Sequence, residues 1–325
     1  MKKKILIITT GGTIAMKYVP DEGLVPAGDL IEFLHSFPQL KSIAEIDVFQ
    51  FSNIPSPHMT PTQMFELSKL VDLRSIDYDG VVITHGTDTL EDSCYMLDLT
   101  LTTRKPIVYT AAMRAGSELG LDGPRNIIGA VRVACDNCAV DKGVLVVMND
   151  EILAARDVVK TDTGRSHSFD SPDYGILGII DSDRIIFYRQ IVQSDKVWTN
   201  AIDLKVDLIV ACAGMDGRYI ETSIETNAKA IVIEAFGRGN LPPKMLPSIK
   251  NALEKKILVV IVSRAYTGRV LPEYGYIGGG KQLEQMGCIL GGDLKGHKAL
   301  IKLMTLFGKY DNPEVVSKFF INSVM

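Results

Sequence analysis

The sequence predicts an α/β protein of two domains, the larger N-terminal one built on a mostly parallel sheet flanked by helices. Three observations carry that expectation. Short apolar runs alternate with longer amphipathic stretches, the pattern of βαβ units. The alternation breaks off after about residue 151 and resumes near 207. The length, 325 residues, also exceeds the usual span of one core.

Taken in order, Ile5–Ile8, Val48–Phe51, Val81–Ile83, Ile107–Tyr109 and Val144–Val147 read as strands. Helical patterns at about 28–37, 61–73, 89–101 and 123–135 lie between them. Connections of this kind are expected to be right-handed. From about 151 the segments shorten and turn polar, and Ile185–Tyr188 closes the half. A polar linker over 189–206 then separates a larger N-terminal domain, 1–188, from a smaller one, 207–325. In the latter, Leu208–Ala211, Ile231–Ile233 and Ile257–Val262 read as strands, with helices near 222–229, 245–254, 296–307 and 313–322. The second domain is expected to be flavodoxin-like or Rossmann-like.

Composition removes several classes of function. A formal net charge of -4 and no long run of Lys and Arg leave a nucleic-acid partner unsupported. No apolar run approaches the roughly 20 residues of a membrane span. Met1-Lys2-Lys3-Lys4 imitates a secretory signal, but only Ile5 to Ile8 follow as apolar residues, so a first strand of a cytoplasmic protein is expected. Five cysteines at undistinguished spacing suit a reducing compartment.

Ligands of an open parallel sheet bind beyond the carboxyl ends of its strands. That edge collects Gly11-Gly12-Thr13, Ser52 to Pro57, Gly86-Thr87-Asp88, Thr110 to Arg114 and, through Asn149-Asp150, Lys160. Two glycines before Thr13 permit unusual backbone angles or close approach to a ligand, although a plain turn explains them equally well. Met16 to Gly28 reads as a loop, either a lid that excludes water or ordinary surface. Thr87-Asp88 is the stronger signal, because a threonine hydroxyl needs a neighbouring base or charge to become nucleophilic. Asp88, adjacent in sequence, suits holding a lysine or a substrate ammonium better than serving as base for Thr87. Helix capping by Thr89 with Asp92 is the competing explanation, and the same helix N-terminus offers N–H donors to an oxyanion. Lys160 acts as a base only if burial lowers its pKa, and its default is a solvated surface lysine.

Other features are weaker. Gly275 to Gln282 has the spacing of a phosphate loop, but Gln282 stands where Ser or Thr is required. Cys135 and Cys138 form a lone C-x-x-C, and the five histidines show no ligand spacing, so no metal is expected. His85, beside Gly86, reads as structural. No G-x-G-x-x-G follows the first strand, so no dinucleotide is expected, nor any other cofactor.

With these motifs the chain resembles the bacterial-type L-asparaginase/glutaminase family. The matching residues are Thr10 to Ala15, Asn53 to Met59, Thr84 to Thr89, Ala112 to Arg114 and Asp122 to Asn126. Val147 to Asp150, Arg156 to Thr161, Gly237 to Leu241, Ser263-Arg264 and Gly268 also fit, in order along the chain. The resemblance implies hydrolysis of L-asparagine to L-aspartate and ammonia, with weaker action on L-glutamine, and without a cofactor. It implies Thr13 as nucleophile and Thr87, Asp88 and Lys160 as a second triad, through either an acyl-threonine or direct attack of water. Gly12, Ser56, Pro57, Gly86, Thr87, Asp88 and Ala112 would line the substrate pocket. Asn240 and Glu273 would complete a neighbour's site in a homotetramer or homodimer.

Two departures stand out. Leu24 occupies the register of the expected lid tyrosine, with Tyr18 as the nearby substitute, and Pro57 replaces a glutamine after Ser56. They sustain an alternative, a non-catalytic amino-acid-binding or sensor protein on the same fold. An asparaginase-like amidotransferase subunit is the other, and it calls for an extra N-terminal domain for which a strand starting at residue 5 leaves no room.

Overall fold

The alternating apolar runs become the strands of two separate main sheets. The computed structural model describes residues 2–26, 38–191 and 195–322; the helical pattern expected at 28–37 lies outside the described residues. The chain divides into two compact units, Met1–Lys196 and Val197–Met325.

The first unit opens with β1 (Lys4–Gly11), a hairpin of β2 (Met16–Val19) and β3 (Gly23–Pro26), α1 (Pro38–Ile43) and β4 (Glu45–Ile54). It continues through α2 (Pro61–Arg74), β5 (Gly80–Thr84), α3 (Leu90–Thr100), β6 (Ile107–Thr110), α4 (Gly123–Ala134) and β7 (Val144–Met148). The shorter strands β8 (Glu151–Ala154), β9 (Val159–Lys160), β10 (Phe169–Asp170), β11 (Gly178–Ile180) and β12 (Ile185–Phe187) complete it.

The eight-stranded sheet runs β12-β11-β8-β7-β6-β5-β1-β4. β4, β1, β5, β6 and β7 are mutually parallel, and the remaining three strands add antiparallel at one edge. Strands covered on both faces must be apolar at every position, and Ile5 to Ile8 and Val81 to Ile83 are fully buried. Ile5, Ile7, Val82 and Val108 face Ile127 and Val131 of α4. Leu6, Ile8, Val81 and Ile83 face Leu67 of α2 and Leu97 of α3. The chain leaves β1 for one side of the sheet, β4, and later returns to its other side, β5. That reversal is the topological switch point at which α/β sheets bind ligands. The register Thr9↔Thr84 sets the two strand ends side by side there.

One local feature differs from the sequence expectation. Met16 to Pro26 is not loop but a two-stranded hairpin that pairs Tyr18 with Leu24, because its alternating residues find a partner across the turn at Pro20-Asp21. The link from β7 to β8 is a two-residue turn in which Asn149 (φ 51) and Asp150 (φ 65) are both left-handed. Asn and Asp tolerate that region, and such turns match strand twist. The chain thereby doubles back and delivers Lys160 to the strand-end edge.

The second unit comprises β13 (Val206–Val210), α5 (Arg218–Glu225), β14 (Ala230–Ala235), α6 (Leu246–Glu254) and β15 (Leu258–Ser263). After these come α7 (Gly280–Met286), β16 (Ile289–Leu290), α8 (Gly296–Lys309) and α9 (Pro313–Asn322). Its four strands are parallel and in sequential order. Helix α5 starts and ends four residues before the expected 222–229, and left-handed Asn227 (φ 60) lies just beyond its end. The phosphate-loop spacing has a packing explanation. A Cβ on Gly278 would lie 2.2 Å from the Leu241 carbonyl oxygen, and one on Gly279 2.3 Å from that of Tyr274.

Candidate active site

Three loops meet in close contact at the switch point. Gly12 adopts φ +84, and a Cβ there would lie 2.3 Å from the Gly86 Cα. A Cβ on Gly86 would in turn lie 2.6 Å from the Ser56 Oγ. Only glycine lets the segments after β1, β4 and β5 come this close. The contact sets Thr13, which opens a short 3-10 turn after Gly12, near the loop carrying Thr87 and Asp88. Thr13 is half-buried, whereas Ser56 and Thr87 are buried.

Lys160 reaches this cluster from β9. Its Nζ donates to Thr87 Oγ1 at 2.9 Å and to Asp88 Oδ1 at 2.6 Å. The lysine side chain is 17% exposed and the Asp88 side chain 59%, so the carboxylate covers the ammonium yet keeps an open flank for a second cation. Ser56 Oγ accepts the Asp88 N–H at 3.1 Å, and Thr89 Oγ1 donates to the Ser56 carbonyl at 2.7 Å. The expected capping box of Thr89 with Asp92 is therefore absent: the Thr89 hydroxyl makes no cap bond to α3 and ties it to the Ser56 turn instead.

The turn after β6 is held just as firmly. The Asp122 carboxylate accepts the amides of Met113 and Arg114, both at 3.0 Å. Asn126 donates to the Ala111 carbonyl at 3.0 Å and accepts the Asn149 amide at 3.1 Å. Buried Ala112 thus sits in a loop whose backbone is pinned on both sides. His85 is fully buried, with Nδ1 2.8 Å from the Gly86 carbonyl, a contact that requires the proton on Nδ1. Burial pushes its pKa down to about 4, against the weaker upward pull of that bond. It is structural, as its place beside Gly86 suggested.

The chain matches the family described as "Asparaginase, N-terminal" over residues 4–193 and "Glutaminase/Asparaginase C-terminal domain" over 205–320. The chain belongs to the asparaginase family. It is 36% identical to an L-asparaginase of Bacillus licheniformis over 95% of its own length and 97% of that protein. A "Probable L-asparaginase periplasmic" of Haemophilus influenzae is 33% identical, with 97% and 92% covered. A solved "Probable Cytoplasmic L-asparaginase" of Campylobacter jejuni superposes with a TM-score of 0.89 at 32% identity, covering 98% of this chain and 99% of that one.

In this asparaginase the structure brings Gly12, Thr13, Ser56, Gly86, Thr87, Asp88 and Lys160 to one edge of one sheet. Pro57 lies exposed within the same Ser56 turn. Tyr18 and Leu24 face each other along the hairpin backbone. Asn240 and Glu273 belong to the second unit. There Asn240 Oδ1 accepts the Gly280 amide at 3.2 Å, and Glu273 pairs with Arg238 at 3.1 Å. Among the described residues no three His, Cys, Asp or Glu side chains gather as a metal site needs, and Cys135 and Cys138 are both free thiols. Sequence reasoning gave no role to Asp122, Asn126 or Glu91. For the first two the available signal was a carboxylate and an amide four residues apart at a helix start; for Glu91 nothing separated it from an ordinary first-turn acid.

Proposed function

We propose that this chain hydrolyses the side-chain amide of L-asparagine to L-aspartate and ammonia by threonine-based catalysis, with weaker action on L-glutamine. The observation that carries the reading is the ammonium of Lys160 bonded at once to Thr87 and Asp88. Because Nζ donates to Thr87 Oγ1, that hydroxyl keeps its own hydrogen for another acceptor. The leaving amide nitrogen is the acceptor the reaction supplies. Thr87 gives it a proton, Lys160 replenishes Thr87, the hydrogen lost by the attacking hydroxyl or water restores the lysine ammonium, and the C–N bond breaks with ammonia as a neutral leaving group. Thr13, across the Gly12–Gly86 contact, is the nucleophile of an acyl-threonine route, and a water takes that place in direct hydrolysis. In both, water supplies the oxygen of the new carboxylate, and N–H donors at this strand-end edge stabilise the oxyanion.

Asp88 binds the substrate ammonium on its open flank, and Ser56 binds the α-carboxylate. Gly12, Gly86, Pro57 and Ala112 shape the pocket. The chain works in the cytoplasm as a homotetramer or homodimer in which Asn240 and Glu273 of one copy complete the site of another. The names of the relatives support both asparaginase activity and, in the solved structure, a cytoplasmic setting. The test is ammonia release over concentration series of L-Asn, L-Gln and D-Asn, for the wild type and Thr87→Val. Turnover on L-Asn that the variant loses supports the reading. Saturable binding of L-Asn by the wild type without ammonia assigns a sensor instead, and a fully active Thr87→Val removes the threonine mechanism.

A further inference from the structure

We propose that Glu91 is a positioning residue for Lys160, an inference that rests on the amide-hydrolysis reading. Lys160 sits on β9, a strand of two residues paired with β10 and, among the described residues, outside the eight-stranded sheet. The sheet therefore does not fix the stem of this long side chain. The Glu91 carboxylate does: its Oε1 accepts the Lys160 backbone N–H at 2.9 Å. Glu91 belongs to the first turn of α3, three residues after Asp88.

One short segment thus grips the lysine at both ends. Thr87 and Asp88 hold the tip, and Glu91 holds the backbone. The tip alone is a weak hold, since a lysine stem is flexible and Asp88 has a second partner to take when substrate arrives. Anchoring the backbone from the helix that follows Thr87 keeps Nζ at the Thr87 hydroxyl while Asp88 shares its carboxylate with the substrate ammonium. Misplacement by about 1 Å at a reacting group costs on the order of a hundredfold in rate.

The experiment compares Glu91→Ala, Glu91→Gln and Glu91→Asp in steady-state turnover of L-Asn and in amide hydrogen exchange of peptides spanning 158–170. Glu91→Ala should lower kcat about 10–100-fold with KM changed less than about threefold, the loss of a hydrogen bond that positions Lys160 and so acts through catalysis. Exchange at Lys160 should quicken in the same variant. Glu91→Gln keeps an oxygen at the same reach and should restore both readouts. Glu91→Asp, one methylene short, should behave as alanine does and serves where the alanine variant fails to fold. Wild-type kcat and protection in the alanine or aspartate variant would overturn the assignment. So would a glutamine variant as slow as alanine. If the wild type releases no ammonia, the functional reading falls and the exchange arm still decides the tether.

Discussion

His85 makes a quantitative demand on the pH dependence of stability. The residue follows β5 directly, its ring lies 5.8 Å from that of Tyr109, and none of it reaches solvent. In the folded chain its pKa is lowered from 6.5 to about 4, with burial as the main cause. Between those values the unfolded chain binds a proton that the folded one refuses, so stability falls as pH drops through the interval. At about 1.4 kcal/mol per pH unit, the whole shift amounts to roughly 3 kcal/mol, fully present above pH 6.5 and lost by about pH 4. Against a net stability of roughly 5–15 kcal/mol for a domain, that is a large share.

The perturbation is His85→Asn, whose amide nitrogen reproduces the donor to the Gly86 carbonyl and does not titrate. Urea unfolding of both proteins, followed by circular dichroism from pH 7.5 to 4.5, isolates the histidine as a difference between pH profiles. At pH 7.5 the wild type should be the more stable, because the smaller side chain leaves a gap beside Tyr109. By pH 4.5 that advantage should shrink by roughly 2–3 kcal/mol. A difference that stays constant across the range would refute the reasoning, since it would mean that the imidazole titrates alike in both states.

Three further outcomes follow from the site. Gly86→Ala should destabilise the chain by about 1–3 kcal/mol and reduce turnover, measured by melting and ammonia release, because its Cβ would stand 2.6 Å from the Ser56 Oγ. Asp122→Ala should cost about 1.5–3 kcal/mol in urea unfolding, since it strips the amides of Met113 and Arg114 of a charged acceptor. Arg238→Ala should change unfolding by less than about 1 kcal/mol, because both partners of its ion pair with Glu273 are about half exposed.

The legible part of this protein is the part whose reason is local. Ile5 to Ile8 and Val81 to Ile83 announce strands because a strand buried on both faces has no polar position to spare, and the residues just past them are the site for the same topological reason. The hairpin over Met16 to Pro26 escapes that logic: its strands are four residues each, and Pro, Asp, Glu and Gly at its centre read as a loop. Thr89 with Asp92 spells a capping box, yet the hydroxyl goes to Ser56, because a loop 33 residues away in sequence competes for it. By its local sequence Lys160 reads as a surface lysine, and only the family resemblance singles it out; the physical reason lies in the fold, which doubles the chain back at Asn149-Asp150 and lays β9 against the start of α3. Glu91 was hidden for the same reason from the other side. A site assembled from glycine contacts between distant loops shows its threonines in sequence, because they sit on motifs. The groups that aim them are ordinary residues, and the fold alone reveals what they touch.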